Sequence, residues 1–250
     1  MLVDVTLWAW IGATGMLAGT LPSLWLWYRR PSEATYYATL AGVTGIAAVA
    51  YVLMAVDVGN VATPGGTLPT ARYVDWLLTT PLLIAYLALL ARTDRRTLAA
   101  LIAVDVVVIA GGIVAVTTTG TVSWVAFAVA FFAYLGLVYG LLVNLPRSAA
   151  QQVDRVRAVF YTLRNITVVL WTLYPIAWLL APTGFGLLTP ATEMLVFVYL
   201  DLVSKVGFAI VAVAGADSIA RLEEDLERDS GREADPDVAP TSREVVEPTE

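Results

Sequence analysis

The sequence predicts an all-α membrane protein, a bundle of seven transmembrane helices with an extracellular N-terminus and a cytoplasmic C-terminus. Three observations carry that expectation. Hydrophobic residues make up 58% of the chain and charged residues 14%, with a mean hydropathy of +0.74, values of a membrane protein rather than a soluble globule. Seven apolar stretches of membrane-spanning length can be drawn, over residues 2–28, 34–56, 68–91, 97–117, 122–142, 153–180 and 189–216. The arginines alternate. The first, third and fifth connections carry Arg29 and Arg30, then Arg92, Arg95 and Arg96, then Arg147, Arg155 and Arg157, whereas the others carry none. By the positive-inside rule that asymmetry orients the bundle in a cell membrane.

The first stretch begins at the second residue without a basic leader and is too long for a signal-peptide core, so it reads as a retained helix. Between the second and third, the segment DVGNVATPGGTLPT is rich in Gly, Pro and Thr and long enough for an extracellular hairpin. The remaining connections are short, which makes consecutive helices antiparallel neighbours. After residue 220 the composition changes. Residues 221–250 carry a net charge of −7, against +1 for residues 1–220. Two regions follow: a membrane domain over 1–220 and an acidic cytoplasmic tail over 221–250, disordered after a short helical extension.

Composition also excludes. The chain has no cysteine and no histidine, so disulfides, thiolate metal sites, zinc chemistry and His-based hydrolysis are absent. No enzymatic activity, metal site or nucleic-acid partner is expected.

Lys205 is the chain's only lysine and lies in the apolar run 194–216. An ammonium at that depth costs a few kcal/mol or more, roughly, and calls for a partner or a function. Asp201, four residues earlier, shares its helix face. A desolvated lysine amine can attack a carbonyl, which a guanidinium cannot. A structural Lys–Asp pair serves this segment equally well.

The other charges break the tie. Arg72, Asp75, Asp105, Arg164 and Glu193 also fall within spans. Arg164 reads as an interfacial snorkeler without a role. Arg72 and Asp75 share a face of the third helix, and with Lys205 and Asp201 they balance two positive charges against two negative. Four such residues together favour a cofactor or ion site over satisfied structural pairs. Aromatic residues stand beside them: Tyr73 and Trp76 in RYVDWLLTTP, and Trp171, Tyr174 and Trp178 around Pro175 in WTLYPIAW. Aromatics at helical spacing are more often core or interfacial belt. Here they stand mid-span, and a slot with rigid aromatic walls and a lysine at one end suits a conjugated polyene aldehyde.

The segments RYVDWLLTTPL, LRNITVVLWTLYPIAWLL and YLDLVSKVGF resemble the third, sixth and seventh helices of the haloarchaeal microbial rhodopsins, and the resemblance extends over about residues 2–216. It implies all-trans retinal bound covalently to Lys205 as a protonated Schiff base. Asp75 would be the counterion and proton acceptor, with Asp201 as second counterion and Arg72 completing the charge cluster. Trp76, Thr79, Thr80, Val108, Gly112, Phe127, Trp171, Tyr174, Pro175 and Trp178 would line the polyene and its ring, and Tyr51 would hydrogen-bond near Asp201.

Within that family the sequence resembles the sensory rhodopsin II (phoborhodopsin) group of blue-green repellent phototaxis receptors. The pumps place a carboxylate eleven residues after the counterion to reprotonate the Schiff base. Here that position is Tyr86, and a phenol of pKa about 10 is a poor donor. Slow reprotonation suits a receptor. The resemblance implies a partner, a two-helix membrane transducer of the methyl-accepting type along the sixth and seventh helices, with Tyr199 and Thr189 at contact positions; a homo-oligomer in membrane lipid is compatible with it. Tyr174 would meet Ser204, which stands before the lysine where many members have Thr. Asp105 is Asn in some members. Glu193 matches one of two release-group carboxylates of the pumps, the other position being Thr183. The alternative is a light-driven outward proton pump. A third reading is a seven-helix module that binds no chromophore.

Overall fold

The computed structural model describes residues 5–215; the expected outer ends of the first and seventh spans and the tail over 221–250 lie outside them. Seven long helices follow one another. They are α1 (Val5–Arg29), α2 (Ala34–Ala55, entered through a 3-10 turn at Pro31–Glu33), α3 (Thr70–Ala91), α4 (Arg95–Thr117), α5 (Gly120–Ala149), α6 (Asp154–Leu180) and α7 (Pro190–Ala214). Each matches one predicted span to within a few residues, α5 running furthest past its expected end. Six of them, α2 to α7, are long and apolar enough to cross a membrane. The first is 25 residues long, but its four tryptophans, three threonines and three glycines dilute its hydropathy. Its outer face is nonetheless apolar, with Leu17, Leu21 and Trp25 about 60% exposed.

Local chemistry fixes several ends. Asp94 caps α4, its carboxylate accepting from the amides of Arg96 and Thr97 at 2.9 and 3.0 Å. That cap starts the helix two residues before the apolar run does. Thr189 caps α7 by accepting from the Thr192 amide at 3.2 Å, with Pro190 at the first helical position. The expected hairpin forms between α2 and α3, pairing Asn60–Thr63 with Gly66–Pro69 antiparallel. Its turn lies on the end of α4: a Cβ on Gly65 would come within 2.2 Å of the Val116 carbonyl oxygen.

Helix packing, rather than transfer from water, holds such a bundle together. On α1, Gly12, Gly15 and Gly19 form a seam into which Tyr51, Leu202 and Val206 fit, each within 2.7 Å of where a Cβ would stand. Two apolar clusters result. One holds Tyr37, Leu40, Leu83, Ile84, Leu87, Phe160 and Phe208, toward the arginine-bearing end. The other holds Ala9, Ala13, Met16, Ala47, Tyr51, Met194 and Val198.

Two helices contain a wide π turn, at Gly140–Asn144 in α5 and at Leu202–Gly207 in α7. Such turns are rare and mark functional positions. The second contains Ser204 and Lys205, both buried.

Candidate functional site

Lys205 enters the middle of the bundle from the π turn of α7 and is 1% exposed. Its Nζ donates to Oδ2 of Asp75, on α3, and lies 3.9 Å from Oδ1 of Asp201. Asp75 and Asp201 are as deeply buried. A charged lysine here is affordable only with such partners at hand.

The two carboxylates are held differently. Asp201 Oδ2 accepts from Tyr51 Oη at 2.7 Å, and Oδ1 accepts from Tyr174 Oη at 2.5 Å and Trp76 Nε1 at 3.3 Å. Donors from α2, α3 and α6 therefore saturate it. Asp75 has its bond from Lys205, while its Oδ1 has no hydrogen-bond partner among the described residues. Thr79, expected in the cavity wall, stands behind this pair, its hydroxyl donating to the Asp75 carbonyl at 2.8 Å.

Arg72 departs from expectation. It is buried on the same helix, but no carboxylate lies within 4 Å of it among the described residues. Its guanidinium instead sits 4.7 Å from the Phe197 ring centroid and 2.7 Å from Met194 Sδ. The face shared with Asp75 is real; the long side chain points away along α7. The close charge cluster is one lysine and two aspartates.

A cavity runs from Lys205 across the bundle, lined by residues of α3 to α7. Trp76 and Thr80 come from α3, Asp105, Val108 and Gly112 from α4, Phe127 from α5, Trp171, Tyr174, Pro175 and Trp178 from α6, and Asp201, Ser204 and Lys205 from α7. The sequence reading named these as cofactor-binding residues, except Asp105 and Asp201. The rings are set edge-on and stacked: Trp76 meets Tyr174 at 5.3 Å and 87°, and Phe127 lies on Trp178 at 4.2 Å and 13°. Tyr174 is 3.5 Å from Ser204 Oγ. Asp105 accepts from Thr80 Oγ1 at 2.6 Å, which ties α4 to α3.

The sequence reading missed Leu83, Phe131, Tyr134 and Phe197 as lining residues. Tyr134 pairs with Thr172 of α6 at 2.6 Å; two hydroxyls in otherwise apolar spans were the available signal. Glu193 lines the same cavity. Thr189 and Tyr199 are not in it: Thr189 is the α7 cap, and Tyr199 points outward, 61% exposed. Tyr86 is fully buried and its hydroxyl has no hydrogen-bond partner among the described residues.

A buried amine at the end of an aromatic slot, with a carboxylate bonded to it and another beside it, fits a polyene aldehyde. Most of the wall is aromatic and aliphatic, with Thr80, Asp105, Glu193, Asp201, Ser204 and Lys205 as its polar members beside the phenols.

Fold and site together define a multi-pass integral protein of the cell membrane, built around a lysine-centred cavity in a seven-helix bundle. Residues 4–219 match the family described as bacteriorhodopsin-like protein, and the chain belongs to that family. It is 44% identical over 216 residues to sensory rhodopsin-2 of Natronomonas pharaonis, covering 86% of this chain and 90% of that protein. It is 50% identical over 218 residues to sensory rhodopsin-2 of Halobacterium salinarum, covering 87% and 92%. Among solved structures, the thermophilic rhodopsin from Rubrobacter xylanophilus superposes with a TM-score of 0.85 at 37% identity, over 88% of this chain and all of that one.

Proposed function

We propose that this protein is a retinal-binding photoreceptor for negative phototaxis, acting through a membrane transducer and not as an enzyme. The observation that carries the reading is Lys205, the chain's only lysine, buried and bonded to Asp75 at one end of an aromatic cavity. The similarity to two sensory rhodopsin-2 proteins supports the sensory assignment over other members of the family.

Lys205 would hold all-trans retinal covalently through Nζ, with Trp76, Trp171, Trp178, Phe127 and Pro175 fixing its chain and ring. When bound, the group supplies visible absorption and light-driven isomerisation. The protein's own residues do the rest. The Lys205 nitrogen passes its proton to Asp75, whose free Oδ1 leaves room for protonation, while Asp201, held by three donors, remains the anion. Loss of the charge pair between α3 and α7 releases the restraint between those helices, a local electrostatic change that biases a two-state helix arrangement. Tyr174, between Asp201 and Ser204, links that change to α6.

In this reading the N-terminus is extracellular, residues 1–220 form the membrane domain and 221–250 the cytoplasmic tail. A two-helix transducer packs along α6 and α7; the exposed ring of Tyr199 supports that face, with Thr189 at its end.

The second reading, a light-driven outward proton pump, is favoured by Glu193, a carboxyl on the same cavity. Sustained acidification by transducer-free vesicles under steady light would select it. The test of the primary reading is an absorption spectrum after addition of all-trans retinal to the wild type and to Lys205→Ala. A visible band lost in the variant is expected; no band in either would overturn it.

A further inference from the structure

A groove between α2 and α3 shares no lining residue with the lysine cavity. Val49 and Leu53 stand on one wall and Val74 and Leu78 on the other, with Val58 and Gly59 at the loop end. Val49, Val74 and Leu78 are 62%, 53% and 49% exposed, so in a bilayer this space opens to lipid. The α3 wall spans residues 70–78, about 12 Å of helix. Asp75 belongs to the same wall and, at 1% exposure, forms its floor.

Two polar side chains line the groove, Thr70 and Asp75. The Thr70 hydroxyl is occupied, donating to the Gly59 carbonyl. Asp75 is not saturated. Its Oδ2 takes the bond from Lys205, and its Oδ1 has no hydrogen-bond partner among the described residues. A buried acceptor left without a donor is costly, more so when it is charged. Asp75 lines this groove and not the lysine cavity, so the groove is the side from which a donor can reach it.

The walls decide the kind of donor. An ammonium would lose its hydration among valine and leucine side chains and compete with Lys205, and an anion would be repelled by Asp75. A neutral hydroxyl on an apolar chain suits both the floor and the walls. We propose that this groove binds a neutral amphiphile dissolved in the membrane, a medium-chain primary alcohol in kind. Its hydroxyl donates to Asp75 Oδ1, and its chain lies between Val49 and Leu53 of α2 and Val74 and Leu78 of α3. A regulatory consequence rests on the reading that Lys205 gives its proton to Asp75 in light. A donor on Oδ1 holds charge on the carboxylate and slows its neutralisation by that proton. A molecule in the bilayer thereby reaches the charge pair without entering the cavity.

The experiment uses the full chain, supplied with retinal, in phosphatidylcholine vesicles. Octanol carrying a photoreactive diazirine at mid-chain is added and illuminated, and the labelled residues are read by mass spectrometry. Label is expected on Val49, Leu53, Val74 and Leu78 in preference to Val125 and Val129 of α5, which are comparably exposed. Unlabelled n-octanol removes it, whereas heptyl methyl ether, of similar length but without a donor, competes about tenfold less well for want of a hydrogen bond to a charged group. Val49→Phe and Val74→Phe fill the groove from lipid-facing positions on different helices, and each abolishes the preference. In the pigment, n-octanol slows the proton transfer that follows a flash, the ether does not, and Val74→Phe removes the effect. Label spread evenly over exposed residues, or equal competition by the ether, overturns the site. Absence of any visible band overturns the function reading and leaves the site to be decided by the labelling. A band whose kinetics ignore bound octanol overturns the regulatory step alone.

Discussion

Tyr174 donates its hydroxyl to Asp201 across 2.5 Å, from the helix that carries Pro175 to the helix that carries Lys205. With Tyr51 on the other oxygen, it makes Asp201 a junction that three helices share. Tyr174→Phe and Tyr51→Phe each remove one charge-assisted bond and are expected to lower stability by about 1–3 kcal/mol. Thermal unfolding of the retinal-free protein in detergent measures this. An unchanged midpoint in both would show that water replaces the phenols without loss.

Asp75 and Lys205 depend on each other more heavily. Asp75→Asn keeps the shape but leaves the buried ammonium without its bonded anion, at about 3–5 kcal/mol. Adding Lys205→Ala should recover most of that cost, because the second change removes the stranded charge. A double-mutant cycle on unfolding midpoints checks the sign; additive losses would mean that the pair is not coupled.

Gly12 lies against the ring of Tyr51, with a Cβ at that position 2.6 Å from Cδ1. Gly12→Ala is therefore expected to push Tyr51 off Asp201 and to destabilise the fold by about 1–3 kcal/mol through overpacking. Gly112, where a Cβ meets nothing within 4 Å, is the control: Gly112→Ala leaves unfolding unchanged and shortens the cavity, which retinal uptake reports.

Asp94, outside the spans, gives a pH dependence. The Thr97 hydroxyl donating at 2.6 Å, followed by the amides of Thr97 and Arg96, holds its carboxyl below the usual range. A lowered acid contributes stability above its unfolded value and loses it as pH falls through the folded one. The first turn of α4 should then fray below about pH 4, seen as faster exchange of the Arg96 and Thr97 amides. Asp94→Asn should abolish that pH dependence while keeping a cap.

Much of this molecule is readable from its residues because a bilayer leaves few options. Apolar runs of the right length must be helices, and the alternating arginines mark which ends lie together. Lys205, Asp201 and Asp75 stand out because charges are rare in such runs. The cavity walls on α3, α6 and α7 followed from the aromatic segments. Side-chain direction did not follow. Arg72 shares a face with Asp75, yet it reaches Met194 and Phe197, since a long flexible chain spans more than one turn. Thr79 donates to the Asp75 carbonyl and does not line the cavity.

The π turn at Leu202–Gly207 has a mechanical consequence. A turn of this kind holds one residue more than its α-helical neighbours, so a bulge that migrates along α7 rotates the residues it passes by about 100° each. The helix can thereby turn Ser204 and Lys205 about its axis without lengthening, unwinding or breaking its contact with the glycine seam of α1.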